Sequence, residues 1–375
     1  MDMKTQGYNK HYVIFGGAGY VGIFLIHALI NKYDDVKITV ITKNVTKSIF
    51  FRYDNVQLFD DVNQIKNEKL TIINLAYSIG DQYSDTKKQN KIIVDNIANV
   101  IENNNVDKII HVSSIVLSLN KKNWNSVNLV KNNTYYFAKS YAEKKLINIS
   151  NKTKVPVAIV RSGNILGPGS PWVNQIIKRL SENQPITGDK LNYPSNSTYV
   201  GNLSEIIISL SNYDKLQTMV MNCCEFGNIS WKDWIDSINQ SFNYEVKKWS
   251  VKSVNELKPA FSTDMKHIIK TMIANIVPLM YKGRYTNNLV IKILDFLNIK
   301  GAKSKMKLRL NRNVGNDLEY IDLTEYDMIK VFMNEESFGL ENMPEEISSS
   351  IPFDFNYTMK SINNWLDYSG YVYMK

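Results

Sequence analysis

Cysteine is nearly absent from this chain of 375 residues; the two that occur, Cys223 and Cys224, are neighbours. Adjacent cysteines cannot close the long loops of a disulfide framework. This excludes a stapled secreted domain and points to a reducing compartment, the cytoplasm. Histidine is as sparse: His11, His27, His111 and His267 stand far apart with no ligand spacing, so no metal site is expected. Long apolar runs are missing too. Nothing approaches the roughly 18 residues of a membrane span, and the opening MDMKTQGYNK lacks the apolar centre of a signal peptide. Charge is lopsided, with 45 Lys+Arg against 36 Asp+Glu for a net +9. The lysines are spread among asparagines rather than gathered into a block with interleaved aromatics, so no nucleic-acid partner is expected. The excess reads first as a solvated surface and, more sharply, as attraction for a phosphate-bearing ligand or an anionic surface.

What is present is a regular alternation over the first 165 or so residues. HYVIFGG, VKITVIT, LTIINLA, KIIHVSS and VPVAIVRSG are short, Val/Ile-rich runs that read as buried strands. Between them, GIFLIHALINKY and IIVDNIANVIENN carry apolar residues at helical spacing. Strands buried on both faces and separated by helices predict an α/β fold, a Rossmann-like doubly wound parallel sheet. After Gly167-Pro168-Gly169 the pattern mixes. VNQIIKRLSEN reads as a helix, STYVGNL as strand-like, TMVMNCC as a further strand, and the chain ends on the helical run FNYTMKSINNWLDYSG. The expected division is a dinucleotide-binding domain over 1–246, with 166–198 contributing to the substrate site. A smaller, discontinuous C-terminal substrate-binding region covers 247–375. Within it HIIKTMIANIVPLMY, residues 267–281, is amphipathic and broken by Pro278; it reads as a packed helix or lid, with a peripheral membrane contact as the weaker reading.

FGGAGYVG ends the first strand and opens the first helix, and supplies Gly16, Gly19 and Gly22 at three-residue spacing. A first glycine permits the tight turn, a second lets backbone approach a pyrophosphate, and a third lets the helix pack on the sheet. The free N–H groups of the helix start face the phosphates. This predicts dinucleotide binding. The second strand ends at Thr42-Lys43, where an NAD-selective site usually has an acid for the ribose hydroxyls. Thr42 lacks that charge and Lys43 could meet a 2′-phosphate, so NADP is preferred over NAD. Asp61, after the strand candidate NVQLFDD, is placed to accept from an adenine amino group.

A lysine one helical turn after a tyrosine favours the phenolate and so prepares a general acid/base. The spacing recurs along the chain, at Tyr33/Lys37 and Tyr244/Lys248 for instance, and alone proves nothing. Position separates the candidates. Tyr135/Lys139 and Tyr141/Lys145 lie between the strand ending at Ser114 and the strand VPVAIVR, on one helix and about 240° apart around it, so one pair can face a cofactor. Tyr141 reads as packing. His111 reads as a buried, hydrogen-bonded residue, and Cys223 and Cys224 as strand packing.

YYFAKSYAEKKL resembles the active-site helix of the extended short-chain dehydrogenase/reductase family, with Tyr135, Lys139 and Glu143 in register. HVSSIVLSL is similar to the strand that brings the family's catalytic serine, which falls on Ser114. FGGAGYVG matches its cofactor turn, IVRSGNILGPG the segment lining nicotinamide and substrate, STYVGNLSEI a later strand and helix start, and FNYTMKSINNWLDYSG the closing helix. The resemblance implies an NAD(P)-dependent enzyme, an epimerase, dehydratase or reductase. Tyr135 would be the general acid/base, Lys139 would lower its pKa and hold the nicotinamide ribose, and Ser114 would bond the substrate oxygen. It extends the cofactor set to Gly17, Tyr20, Val21, Ala76 and Asn90. Asn164 matches an asparagine that contacts the diphosphate of a nucleotide sugar, which makes such a sugar the expected substrate, in surface polysaccharide metabolism, and a homodimer the expected assembly. Two departures weaken the sugar reading. No arginine precedes STYVGNL, and Gly201-Asn202 replace the usual acidic pair after it. Tyr199-Val200-Gly201-Asn202 looks more like the 3β-hydroxysteroid dehydrogenases, which act on apolar alcohols; that is the alternative, with a non-catalytic NADP-binding protein behind it.

Overall fold

The computed structural model describes residues 10–42, 53–66, 68–79, 83–119, 134–182, 186, 191–240, 242, 245–246 and 335–369. Lys43 and the amphipathic stretch 267–281 lie outside the described residues. The strands are β1 (Lys10–Phe15), β2 (Val36–Ile41), β3 (Val56–Phe59), β4 (Lys69–Asn74), β5 (Asn105–Ser114), β6 (Val157–Ser162), β7 (Asn164–Leu166), β8 (Ser197–Tyr199) and β9 (Met219–Cys223). Seven of them form one sheet in the order β3-β2-β1-β4-β5-β6-β9, and β7 pairs with β8 in a small second sheet. Every neighbouring pair in the large sheet is parallel. The Rossmann-like doubly wound sheet expected from the alternating runs is therefore the fold observed. The order reverses between β1 and β4, and in such sheets ligands bind at the carboxyl ends of the strands, where the order reverses.

The helices are α1 (Tyr20–Lys32), α2 (Tyr83–Asn103), α3 (Thr134–Thr153), α4 (Pro171–Ser181), α5 (Val200–Asn212), α6 (Trp231–Asn239), α7 (Glu345–Ser348) and α8 (Phe355–Tyr368). On one face of the sheet Leu25, Ile26 and Leu29 of α1 and Leu203, Ile206 and Ile207 of α5 pack on Ile14, Ile38 and Val160. On the other, Ile97 and Val100 of α2 and Leu146 of α3 cover Val13, Ile72 and Ile159. Each such side chain, fully withdrawn from water, contributes roughly 1.5–3 kcal/mol of burial. A third cluster joins Val173 and Ile177 of α4, Trp231, Trp234 and Ile235 of α6, and Met359, Ile362 and Leu366 of α8. The closing helix thus shares its core with residues far earlier in the chain. Among the described residues no helix is long and apolar enough to cross a membrane.

Helix starts differ in a way that matters for the site. Ser170 caps α4, Ser230 and Asp233 form a capping box on α6, and Asp354 caps α8. The N-cap of α1 is Gly19, and no side chain caps it. STYVGNL is strand only over Ser197–Tyr199, and α5 begins at Val200. The strand-like reading overran, because the buried alternation continues into a helix that is buried on most sides.

The outer edge of β9 is covered by the segment 335–341. The N–H groups of Asn222 and Cys224 donate to the carbonyls of Glu341 and Gly339, each at 2.9 Å, an antiparallel pairing. Asn196 fixes the same strap from the other side. Its Nδ2 donates to the Glu336 carbonyl and its Oδ1 accepts from Phe338 N–H, both at 2.7 Å.

Candidate active site

The glycine turn sits at the switch point. Gly16 has φ +77°, a region open to glycine, and a Cβ there would lie 2.9 Å from the Ala76 nitrogen. Its absence lets the ends of β1 and β4 converge. A Cβ at Gly17 would meet Val40 Cγ1 at 3.0 Å, and one at Gly22 the Gly17 carbonyl oxygen at 2.2 Å, so these two seat α1 against the turn. Gly19 is different. Its N–H donates to Gly16 O at 3.0 Å, and an added Cβ would meet only that oxygen, at 3.3 Å. Here glycine leaves a cradle above a helix start that no side chain caps. The residues present fit a dinucleotide pyrophosphate. Tyr20 and Val21, the first residues of α1, pack against the third core cluster. The Tyr20 hydroxyl comes to 2.8 Å from where a Cβ on Gly167 would stand, so it joins the turn to the 167–169 loop.

The flanking candidates line the same rim. Thr42 follows β2, and its N–H donates to Phe59 O at 2.9 Å. Asp61 follows β3, and its Oδ1 caps the short turn Val62–Gln64 by accepting from Asn63 N–H at 2.9 Å. Ala76 follows β4, with its N–H held by Asn74 Oδ1 at 3.0 Å. Asn90 is buried in α2, and its amide is taken up by backbone. Nδ2 donates to the carbonyls of Ser78 and Thr86 at 2.7 Å, and Oδ1 accepts from Ser78 N–H at 3.2 Å. Its part at the site is to hold the loop after β4 beside Gly16, not to reach outward.

Ser114 ends β5, Tyr135 lies in the first turn of α3, and Lys139 follows one turn on. The three are brought together. The Tyr135 hydroxyl is hydrogen-bonded to Ser114, and burial pushes the phenol up to about 12, the serine bond opposing and Tyr77 adding to the rise. Lys139 is 3 % exposed. Its Nζ donates to Val112 O at 2.9 Å. Burial pushes the ammonium down to about 7, and Glu143 opposes this. The ammonium lies 5.9 Å from the Tyr135 ring centre and 4.3 Å from that of Tyr77, the nearer ring. Tyr77 and Tyr135 meet edge to face, 5.3 Å apart. Tyr141 stacks on Phe137 with Lys145 above it, on another side of the helix.

Beneath the cluster lies a polar brace. Glu143 Oε1 accepts from Ser113 Oγ at 2.5 Å and from Arg161 Nε at 3.0 Å, and its Oε2 from Arg161 Nη2 at 2.8 Å. One fork of bonds thus joins α3, β5 and β6, next to Ser114 in sequence and one turn from Lys139. Removing one partner of such a buried pair costs about 3–5 kcal/mol. His111 is buried, with Asn74 Nδ2 3.1 Å from its Nδ1. Asn164 Nδ2 donates to the Ser195 carbonyl at 2.7 Å, so that N–H serves the β7–β8 region itself.

Two residues escaped the sequence reading. Tyr77 stands three positions beyond β4, at the crevice where a strand end could have flagged it. Glu225 is half-buried beside the start of α5, with Oε1 accepting from Tyr199 N–H at 2.6 Å and from Asn202 Nδ2 at 3.1 Å. A carboxyl group is therefore supplied to that helix start from just beyond β9, although Gly201-Asn202 carry none.

Solved structures share this fold. UDP-N-acetylglucosamine 4-epimerase from Methanobrevibacter ruminantium M1 matches with a TM-score of 0.51 and 20% identity, over 64% of this chain and 85% of that one. UDP-glucuronic acid 4-epimerase from Bacillus cereus, in complex with NAD, gives 0.53 and 17%, over 64% and 87%. dTDP-glucose 4,6-dehydratase from Bacillus anthracis str. Ames, in complex with NAD, gives 0.51 and 16%, over 64% and 84%. At such identities the likeness is one of fold. No curated protein matches the chain. A model of the NAD-dependent epimerase/dehydratase family matches residues 12–202, just over half of the chain and the part that carries the glycine turn, Ser114, Tyr135 and Lys139; the chain belongs to that family.

Proposed function

We propose that this enzyme moves hydride reversibly between a nicotinamide dinucleotide and a secondary carbinol of a nucleotide-linked sugar. The observation that carries the reading is the meeting of Ser114, Tyr135 and Lys139 at the same end of the parallel sheet as the open cradle at Gly19. The bound nicotinamide would supply the hydride-accepting ring and a positive charge beside the phenol. Gly16, Gly17, Gly19 and Gly22 would seat the pyrophosphate, with Tyr20, Val21, Thr42, Asp61, Ala76 and the Asn90-held loop around it. Ser114 Oγ would bond the substrate oxygen. The Tyr135 hydroxyl would take the carbinol proton and return it. Lys139 would hold the ribose and, when its ammonium faces Tyr135, favour the phenolate.

Support for a sugar substrate comes from relatives of like fold whose structures hold UDP-sugars. Asn202, part of the pattern that suggested an apolar alcohol, has its amide bound to Glu225 and to the Phe353 carbonyl, so it is spent on packing. The finer expectations belong to the same proposal: NADP in preference to NAD, because Thr42 stands where an acid would bind the ribose and Lys43 follows it to meet a 2′-phosphate, together with a homodimer, a cytoplasmic setting, a role in surface polysaccharide metabolism, and a substrate region drawn from 166–198 and 247–375.

The test is a calorimetric titration with NADPH and NADH, followed by a thermal shift with UDP and a dTDP-type nucleotide in the presence of the better cofactor. One charge-assisted contact is worth roughly 1.5–3 kcal/mol, about ten- to a hundredfold in favour of NADPH. A nucleotide that binds the folded chain raises its melting temperature by mass action. Tighter NADH binding would overturn the NADP preference, and no shift with any nucleotide diphosphate would overturn the sugar.

A further inference from the structure

The Lys139 ammonium lies against the ring of a residue to which the reaction above gives no part. Tyr77 is 45 % exposed while Lys139 is 3 % exposed, and the ammonium stands 4.3 Å from the Tyr77 ring centre. The ring therefore lies over the lysine on the solvent side. An ammonium has three N–H donors. One goes to Val112 O at 2.9 Å, and the face of an aromatic ring is a favourable neighbour for the remaining charge, most of all where water is excluded. The same ring meets Tyr135 edge to face at 5.3 Å. Its backbone is pinned on both sides. Ala76 N–H is held by Asn74, and Ser78 is held through both its N–H and its carbonyl by Asn90. The ring can leave the lysine by rotation of its own side chain, without movement of the loop.

We propose that Tyr77 is a positioning residue for Lys139, whose ring competes with the ribose of the dinucleotide for the lysine ammonium. This rests on the dinucleotide reading given above. A ribose hydroxyl and the Tyr77 ring face are alternative partners for one charge in one place, so binding of the cofactor includes displacement of the ring. The apparent affinity is lowered by the fraction of molecules in which the ring is in place. The Tyr135 hydroxyl meanwhile is hydrogen-bonded to Ser114.

The experiment compares the native chain with Tyr77→Ala and Tyr77→Phe. Phenylalanine keeps the ring face, so it should behave as the native residue. Alanine removes the competitor, so the dinucleotide should bind roughly 2- to 30-fold more tightly by calorimetry, the range expected from loss of one cation–π contact. A second readout needs no cofactor. Lys139 is labelled with a small amine-reactive reagent, and the modified peptide is quantified by mass spectrometry over time. Labelling should be several-fold faster in Tyr77→Ala and unchanged in Tyr77→Phe. Weaker dinucleotide binding by Tyr77→Ala would make the ring a platform for the cofactor and overturn the competition. Lys139 labelling that does not respond to Tyr77→Ala would overturn the contact itself. Failure of the native chain to bind either dinucleotide, with labelling as expected, would instead overturn the functional reading, and the competition with it.

Discussion

A methyl group on Gly22 would stand 2.2 Å from the Gly17 carbonyl oxygen, whereas on Gly19 it would meet only the Gly16 oxygen, at 3.3 Å. Two glycines of one motif should therefore fail differently. Gly22→Ala forces α1 off the turn, an overpacking cost of about 1–3 kcal/mol, and should lower the melting temperature by several degrees. Gly19→Val should melt as the native chain does and lose dinucleotide binding, because the added atoms fill the cradle. Differential scanning calorimetry and cofactor titration on the two variants check this; a Gly19→Val protein that binds normally would remove the pyrophosphate from that place. The tyrosines on α3 make a second contrast. Tyr135→Phe should keep the fold and slow hydride transfer by roughly 10²–10⁴, as for loss of a general acid/base. Tyr141→Phe, whose ring stacks on Phe137, should do little. Single-turnover absorbance of the reduced nicotinamide measures both. Residues of this kind were legible because strand–turn–helix context and one-turn spacing constrain them locally. Tyr77 was not, since its partner Lys139 lies 62 positions away and only the β4–β5 pairing brings the two together.

The start of α5 shows what local pattern leaves out. Val200 to Asn202 carry no acid, yet the helix start receives one, Glu225, from beyond the end of β9. Backbone N–H groups at a helix N-terminus favour a negative charge, but here burial prevails and pushes the carboxyl up to about 7 from 4.5, the bonds from Tyr199 N–H and Asn202 opposing it. A raised folded pKa means that the folded chain holds this proton where the unfolded chain has lost it. The stability contributed is present below the unfolded value and disappears as pH rises through about 7. Glu225→Gln does not titrate. Its melting temperature should therefore gain on that of the native chain as pH is raised through this window, with no such trend for Ser204→Ala at a buried polar site nearby. A gap between the Glu225→Gln and native chains that stays constant with pH would refute it. The strands themselves were readable because each is a short Val/Ile-rich run buried on both faces. The end of β8 was misjudged because strand and helix alike are buried there, so burial could not mark the boundary between them.

At the scale of the molecule, the long return from residue 335 to β9 closes the structure. The strap 335–341 pairs with the edge strand, and a Cβ on Gly227 would lie 1.7 Å from the Phe338 carbonyl oxygen. Gly227→Ala should lift the strap and bare the N–H groups of Asn222 and Cys224. Exposed sheet edges recruit other chains, so the variant should scatter light at a lower temperature than the native protein while its cofactor affinity is kept, since the glycine turn lies across the sheet. Equal scattering onset would show that the strap does not guard the edge. None of this was visible in the sequence, where 335–341 has neither strand periodicity nor a neighbour to suggest its partner. The same strap sets a timetable. Gly339 follows Cys223 by 116 positions. At roughly 5–20 residues per second of synthesis, β9 leaves the ribosome on the order of 6–23 s before the segment that will cover it exists. Through that interval the nascent chain carries a finished sheet with an open margin, and its yield in a cell depends on translation speed and on whatever chaperone shields the margin until the strap arrives.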